Sequence, residues 1–362
     1  MKTVCVVGVA GFIGSHLLHA LLHETDYRVI GLDKEAPDKI SRVLLRSDRV
    51  EFTQVDVARS SAALADAIER SDVVINLAAI CNPSEYIRQP VATIHSNFTD
   101  AQECIELCVR HKKHLVHFST CEVYGRTLSS FGLPAEDAAN SVLDEETSPM
   151  VLGPLSAQRW NYACAKALAE RLIYAHGAEE PGWRFTIVRP FNWIGGRMDY
   201  VPGLDGRADG QPRVIASFMS ALMRDEPLVL VDGGVAYRSF CYIEDAVEAV
   251  LRMLERPERA AGLAFNVGNP ENSIEIASLA RLMGELYEEL TGQRRGATVS
   301  IPGTEYYGKG YADSDLRLPS MRLVRERLGW APSTPLRGAL KRTMAAFIAQ
   351  YGERLAKEKG AA

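Results

Sequence analysis

The segment that most constrains this chain is its first βαβ unit, residues 1–33. Thr3-Val4-Cys5-Val6-Val7 is a short apolar run without alternation, as expected of a strand buried on both faces of a parallel sheet. Gly8, Gly11 and Gly14 follow in GxxGxxG spacing, and Phe12, Ile13, His16, Leu17, Ala20 and Leu21 then recur at helical spacing. Tyr27 to Leu32 returns to strand character and ends in Asp33. A glycine loop between a strand and a helix lets backbone amides approach a pyrophosphate at the helix N-terminus, with Phe12 and Ile13 in the first turn. A carboxylate at the end of the second strand can accept both hydroxyls of a ribose. Glycines that serve only a tight turn are the alternative, and the flanking strand, helix and Asp33 count against it. Asp33 repels a 2′-phosphate and no arginine follows it immediately, which favours NAD over NADP, although Lys34 pulls the other way.

The same rhythm continues. Strands are predicted near Val50 to Val57, at Asp72 to Leu77, at His114 to Ser119 and at Arg184 to Arg189. They alternate with helices near Ser60 to Arg70, Pro90 to His111 and Gln158 to His176, which predicts an α/β fold with a doubly wound parallel sheet. Asp56 and Val57 close the third strand, where they could meet an adenine, and Ala78 and Ala79 leave a floor of small residues beside a cofactor. Residues 195–212 carry five glycines and two prolines, too irregular for an element and long enough for a functional loop over a ligand. Helices near Val214 to Arg224, Ile243 to Glu255, Ser273 to Thr291 and Leu336 to Tyr351 then suggest a smaller, segmented lobe. The expected division is a dinucleotide-binding part at 1–189 and 236–267, and a substrate lobe at 190–235 and 268–362.

Composition narrows the function classes. A net charge of −5 offers no broad positive field for a phosphate backbone, so nucleic acid is not an expected partner. No apolar run approaches the ~18 residues needed to span a bilayer, and a strand begins almost at Met1, so neither a membrane nor a secretory route is expected. Seven cysteines without paired zinc spacings point to reduced thiols and a cytoplasmic protein, with no metal. Cys104, Cys108 and His111 could be ligands one helical turn apart, but small residues on a packed helix face are the simpler account.

Tyr162 and Lys166 are four apart on a predicted helix, so both side chains lie on one face, near enough for the ammonium to stabilise a phenolate. A phenol of ordinary pKa ~10 needs such help to act as a base near neutrality. YxxxK is common by chance. Here it accompanies the glycine loop, the Ser119-Thr120 pair closing one strand and the Arg189-Pro190-Phe191-Asn192 turn closing another. Together these motifs resemble the extended short-chain dehydrogenase/reductases that act on nucleotide sugars. Ser119 to Gly125, Gln158 to Tyr162, Arg189 to Gly195 and Tyr306 to Arg317 are further similar to the UDP-glucuronate decarboxylase branch, which includes the UDP-apiose/UDP-xylose synthases. Cys121 before Glu122, and Cys81 followed by Tyr86, resemble the synthases within that branch. Buried thiols without chemistry are the alternative.

The resemblance implies NAD as cofactor and UDP-glucuronate as substrate. Tyr162 would take the proton of the carbon 4 hydroxyl, with Lys166 and Thr120 beside it and Ser119 and Pro190 against the cofactor. Loss of the carboxylate would follow, with Glu122 as acid/base and Arg317 positioning the group. Retro-aldol ring contraction would then yield UDP-apiose beside UDP-xylose, with Cys81 and Cys121 moving protons. Tyr86, Arg159, Asn192, Arg213, Arg238 and Tyr311 are the implied substrate contacts, and Val229 stands where the family has lysine. A homodimer is implied as well. The remaining alternatives are a decarboxylase that stops at the 4-keto pentose or at UDP-xylose, and a non-catalytic NAD-binding sensor.

Overall fold

The computed structural model describes residues 1–35, 45–204, 212–307, 314 and 316–361, with side chains as far as 355. Its central sheet has seven strands: β1 (Thr3–Val7), β2 (Arg28–Asp33), β3 (Val50–Gln54), β4 (Val73–Asn76), β5 (His114–Phe118), β6 (Phe185–Pro190) and β7 (Leu263–Val267). They lie in the order β7-β6-β5-β4-β1-β2-β3, every neighbouring pair parallel. β4 and β5 are buried at every position, which is why their sequences do not alternate.

Helices seal both faces. On one, Leu17, Leu18 and Leu21 of the first helix, Phe12–Glu24, pack with Val4, Val6 and Val29. On the other, Leu64, Ile68, Ile105 and Ile173 pack with Cys5, Val7 and Ile30, and Cys104 and Cys108 are part of that core. Strand order reverses between β1 and β4, and this opens a crevice beyond their carboxyl ends. Gly8, Leu77, Ser119 and Asn192, from the segments after β1, β4, β5 and β6, all line that crevice.

A smaller sheet joins Ser273–Glu275, Tyr237–Ser239, Leu316–Pro319 and Val142–Leu143. Val142–Leu143 and Tyr237–Ser239, grouped above with the dinucleotide-binding part, pair here with the lobe strand Leu316–Pro319. The expected long helix from Pro90 is not uniform. It runs as Pro90–Ile94, a π turn at His95–Thr99 and then Asp100–Arg110. Within the widened turn the buried Asn97 donates through Nδ2 to the Thr93 carbonyl at 2.8 Å and to the Ile80 carbonyl at 2.9 Å. A π turn of this kind often accompanies a functional site. Here it holds the loop that carries Cys81. A separate short helix, Pro83–Arg88, starts at Asn82, whose side chain accepts the Ser84 amide at 3.1 Å, and it carries Tyr86 inward.

The described part of the glycine-rich loop is not an open flap. Met198, Tyr200 and Val201 are buried, and the Gly196 carbonyl hydrogen-bonds His16 of the first helix at 2.8 Å. Residues 205–211 of that loop, and Tyr311, lie outside the described residues. Among the described residues no helix is long and apolar enough to cross a membrane.

Candidate active site

A cavity of about 580 Å³ runs from the glycine loop, past the ends of β4, β5 and β6, into the small lobe. At its sheet end lie Gly8, Gly11, Phe12, Ile13 and Gly14. Gly8 has φ +89°, a left-handed conformation that favours glycine. A Cβ on Gly14 would stand 2.3 Å from the Gly8 carbonyl oxygen, so loop and helix can approach this closely only without a side chain there. Gly11 precedes the first helix and no side chain caps it, which leaves the first-turn amides as donors at the cavity. Asp33 closes the other side of the loop. Its carboxylate accepts the Ala10 amide at 2.8 Å and the Glu35 amide at 2.9 Å.

Tyr162 stands deep in the cavity, 6% exposed, on the helix Asn161–Glu179. Its ring stacks on Tyr86 at 4.7 Å between centroids, the planes 10° apart. Burial, with Cys81 and Glu122 nearby, holds the phenol well above its usual range, while a hydrogen bond with the Thr120 hydroxyl pulls the other way. Lys166 is buried and donates to the Phe118 carbonyl at 2.8 Å. Burial pushes its pKa down to about 8. The spacing predicts an amine that lowers the phenol. The amine donates to the main chain, and a hydrogen bond with the Thr120 hydroxyl favours the phenolate.

Thr120, at the head of the short turn Cys121–Tyr124, also accepts the Glu122 amide at 3.2 Å. Glu122 takes both Arg159 nitrogens, at 2.5 and 3.2 Å, and Arg317 at 3.2 Å. Both arginines are buried, so an ion-paired triad forms the cavity floor. The paired Glu122 still lines the cavity and acts on the Tyr162 phenol. Burial pushes the Cys121 thiol up to about 11, against the pull of Arg317. That is the opposite of an activated thiolate, so near neutrality the Cys121 thiol is protonated. Cys81 is exposed at the cavity rim, and burial holds the Tyr86 phenol well above its usual range.

Of the other expected contacts, Ala79, Pro190, Asn192, Arg213 and Arg238 line the cavity. Asn192, at φ +41°, donates to the Ser239 carbonyl at 3.0 Å. Arg213 meets Asp199 at 3.3 Å, and Arg238 donates to the Ser314 carbonyl at 2.9 Å. Asp33, Asp56, Val57 and Ala78 are not among the lining residues. Asp56 accepts the Ala58 amide at 3.2 Å and pairs with Arg59 at 3.6 Å, while Val57 and Ala78 pack on the core. The lobe end of the cavity is largely apolar, with Val229, Val231, Val235, Ile276, Tyr306 and Tyr307. Ile276 carried no motif and comes from a separate element, so only the fold identifies it.

Residues 4–268 match the NAD dependent epimerase/dehydratase family. The chain belongs to that family. It is 48% identical to UDP-D-apiose/UDP-D-xylose synthase 1 of Arabidopsis thaliana, over 98% of this chain and 93% of that one. It is 45% identical to the UDP-D-apiose/UDP-D-xylose synthase of Oryza sativa subsp. japonica, over 98% and 92%. Among solved structures, the PbgP3 protein from Burkholderia pseudomallei superposes with a TM-score of 0.81 at 31% identity, covering 98% of each chain. The UDP-glucuronic acid 4-epimerase from Bacillus cereus, solved with UDP-glucuronic acid and NAD, shares the fold, with a TM-score of 0.77 at 22% identity over 96% of this chain and all of that one.

The cofactor of this epimerase/dehydratase family member is NAD, and the site fits it. The glycine cradle admits a pyrophosphate where a Cβ would not fit. The Ser119 hydroxyl, buried at the cavity wall, has no hydrogen-bond partner among the described residues and is suited to a polar atom of a bound ligand.

Proposed function

We propose that this enzyme converts UDP-glucuronate to UDP-apiose and UDP-xylose. The observation that carries this reading is the gathering of Cys81, Cys121 and Glu122 around the Tyr162 phenol, in a chain 48% identical to a synthase of that name. Bound NAD supplies an acceptor and later a donor of hydride, and its cationic ring adds a positive charge that favours the phenolate.

The protein's part is proton handling and charge. Tyr162, steadied by Thr120, takes the proton from the carbon 4 hydroxyl, and Lys166 holds the ribose side of the cofactor. A ketone at carbon 4 makes the sugar a β-keto acid, so loss of carbon dioxide needs orientation more than force. Arg317 positions the carboxylate, and Glu122 governs proton return at carbon 5. Retro-aldol opening between carbons 2 and 3 then asks for one proton to be removed and another supplied. Cys121, protonated near neutrality, suits the supply. The diphosphate is assigned to Arg238 and Arg213, and the uridine to the apolar lobe end, where Val229 replaces an expected cation with a methyl surface.

Product analysis by NMR after incubation with UDP-glucuronate and NAD tests the reading. Both pentoses are expected from the wild type, and Cys121→Ser is expected to lose UDP-apiose by about tenfold or more while retaining UDP-xylose. No branched pentose from the wild type would leave a decarboxylase instead. We also propose a homodimer through Val91, Ile94, Cys164 and Leu168, which expose thiol and aliphatic surface on adjacent helices; a solution mass of one chain would overturn it.

A further inference from the structure

Four polar side chains next to the catalytic turn are sealed in the core and do not line the cavity: Arg189, Glu170, Tyr124 and Asn266, at 4%, 2%, 1% and 0% exposure. Arg189, near the end of β6, donates to both oxygens of Glu170, from Nε at 3.0 Å and from Nη2 at 2.6 Å. Its Nη1 donates to the Tyr124 hydroxyl at 2.7 Å, and the guanidinium lies 4.8 Å over the Tyr124 ring. The Tyr124 hydroxyl in turn donates to Asn266 Oδ1 at 2.8 Å. Asn266 is tied down on β7, with Nδ2 donating to the Leu143 carbonyl at 2.8 Å and its amide donating to the Glu145 carboxylate at 2.7 Å.

The two ends of this chain of contacts belong to the two halves of the reaction centre. Glu170 follows Lys166 by one helical turn on the helix that carries Tyr162. Tyr124 ends the short turn that begins at Cys121 and includes Glu122, with Thr120 at its head. A buried ion pair adds little net stability compared with apolar side chains of the same size. What it adds is a penalty for any other arrangement, because a slipped contact would strand a desolvated charge. Stability therefore does not explain why so many polar groups are placed here, whereas fixing one geometry does.

We propose that Arg189 is a positioning residue that sets the Thr120–Glu122 turn against the Tyr162 helix, and so fixes the distances over which protons move. The inference rests on Tyr162 acting as the base. Misplacement of reacting groups by about 1 Å can cost on the order of 100-fold in rate, so a partial loosening has a readable effect.

Tyr124→Phe removes one hydroxyl, keeps the ring and leaves the Arg189–Glu170 pair intact. It is expected to lower kcat about tenfold with KM for UDP-glucuronate within about twofold, and its crystal structure is expected to show the Cys121–Tyr124 turn displaced from Tyr162. Arg189→Lys, which keeps the charge and loses the fork, is expected to show the same split more strongly. A Tyr124→Phe enzyme with a lower melting temperature but unchanged kcat and turn position would overturn the proposal. Should the wild type leave UDP-glucuronate untouched, the functional reading fails, and the position of the turn in the variant still decides this one.

Discussion

Tyr162→Phe is expected to reduce turnover of UDP-glucuronate about 1,000-fold while the protein remains folded and binds NAD. The ring is the part that packs. It stacks on Tyr86, and phenylalanine keeps that contact, so the variant loses one hydroxyl and its hydrogen bond to Thr120, a change of about 1 kcal/mol in stability. The hydroxyl is the part that reacts. Carbon dioxide release is the measurement for turnover, and the quenching of intrinsic fluorescence by NAD is the measurement for binding. A variant within threefold of the wild type would remove Tyr162 from the chemistry. The pH profile carries a second sign. Burial brings Lys166 down to about 8, so its ammonium is the main form below that pH and is lost above it. Activity that depends on the positive charge should therefore fall as pH rises through about 8; a fall delayed to near pH 10 would mean that burial does not shift the amine, and no fall across this range would show that the charge is not used.

The fold was legible because its signals are periodic. β1, the glycine loop and the first helix follow each other within one short stretch, and each demands its neighbour. Tyr162, Lys166, Thr120 and Glu122 were legible as motif members, and their meeting in one cavity follows from strand ends that a parallel sheet brings to one edge. What the sequence did not carry was the state of those groups. The amine that spacing places beside Tyr162 donates to the Phe118 carbonyl, and burial raises the pKa of the Cys121 thiol. Both outcomes are set by burial and by partners remote in sequence. The π turn at Asn97 is hidden for a related reason, since its cause is the Ile80 carbonyl and no apolar period records that contact. The division into two parts blurs likewise. Val142–Leu143 and Tyr237–Ser239 are too short for their pairing to be read from composition.

Gly14→Ala should weaken cofactor binding strongly by a different route, through the backbone. The added carbon would lie 2.3 Å from the Gly8 carbonyl oxygen, 2.7 Å from the Val9 Cα and 2.8 Å from the Val9 carbonyl carbon. All three are main-chain atoms, so no side chain can rotate away and the loop itself must lift from the helix. Overpacking of this kind costs about 1–3 kcal/mol when neighbours can yield, and more when they cannot. Here the loop is also held by the Asp33 carboxylate at Ala10 and by the Gly8 amide, which donates to the Leu32 carbonyl at 2.8 Å, so lifting it breaks contacts on its far side. The first-turn amides then lose their alignment with the loop, and NAD affinity is expected to fall about 100-fold or more, with a lowered melting temperature. Gly11→Ala is the informative control, because its added carbon meets only the Gly8 carbonyl oxygen, at 3.3 Å. That contact can be relieved by a few tenths of an ångström, so a much smaller loss is expected. Equal losses from both substitutions would mean that general sensitivity of the loop governs binding, whereas retention of NAD by Gly14→Ala would place the pyrophosphate somewhere other than this cradle.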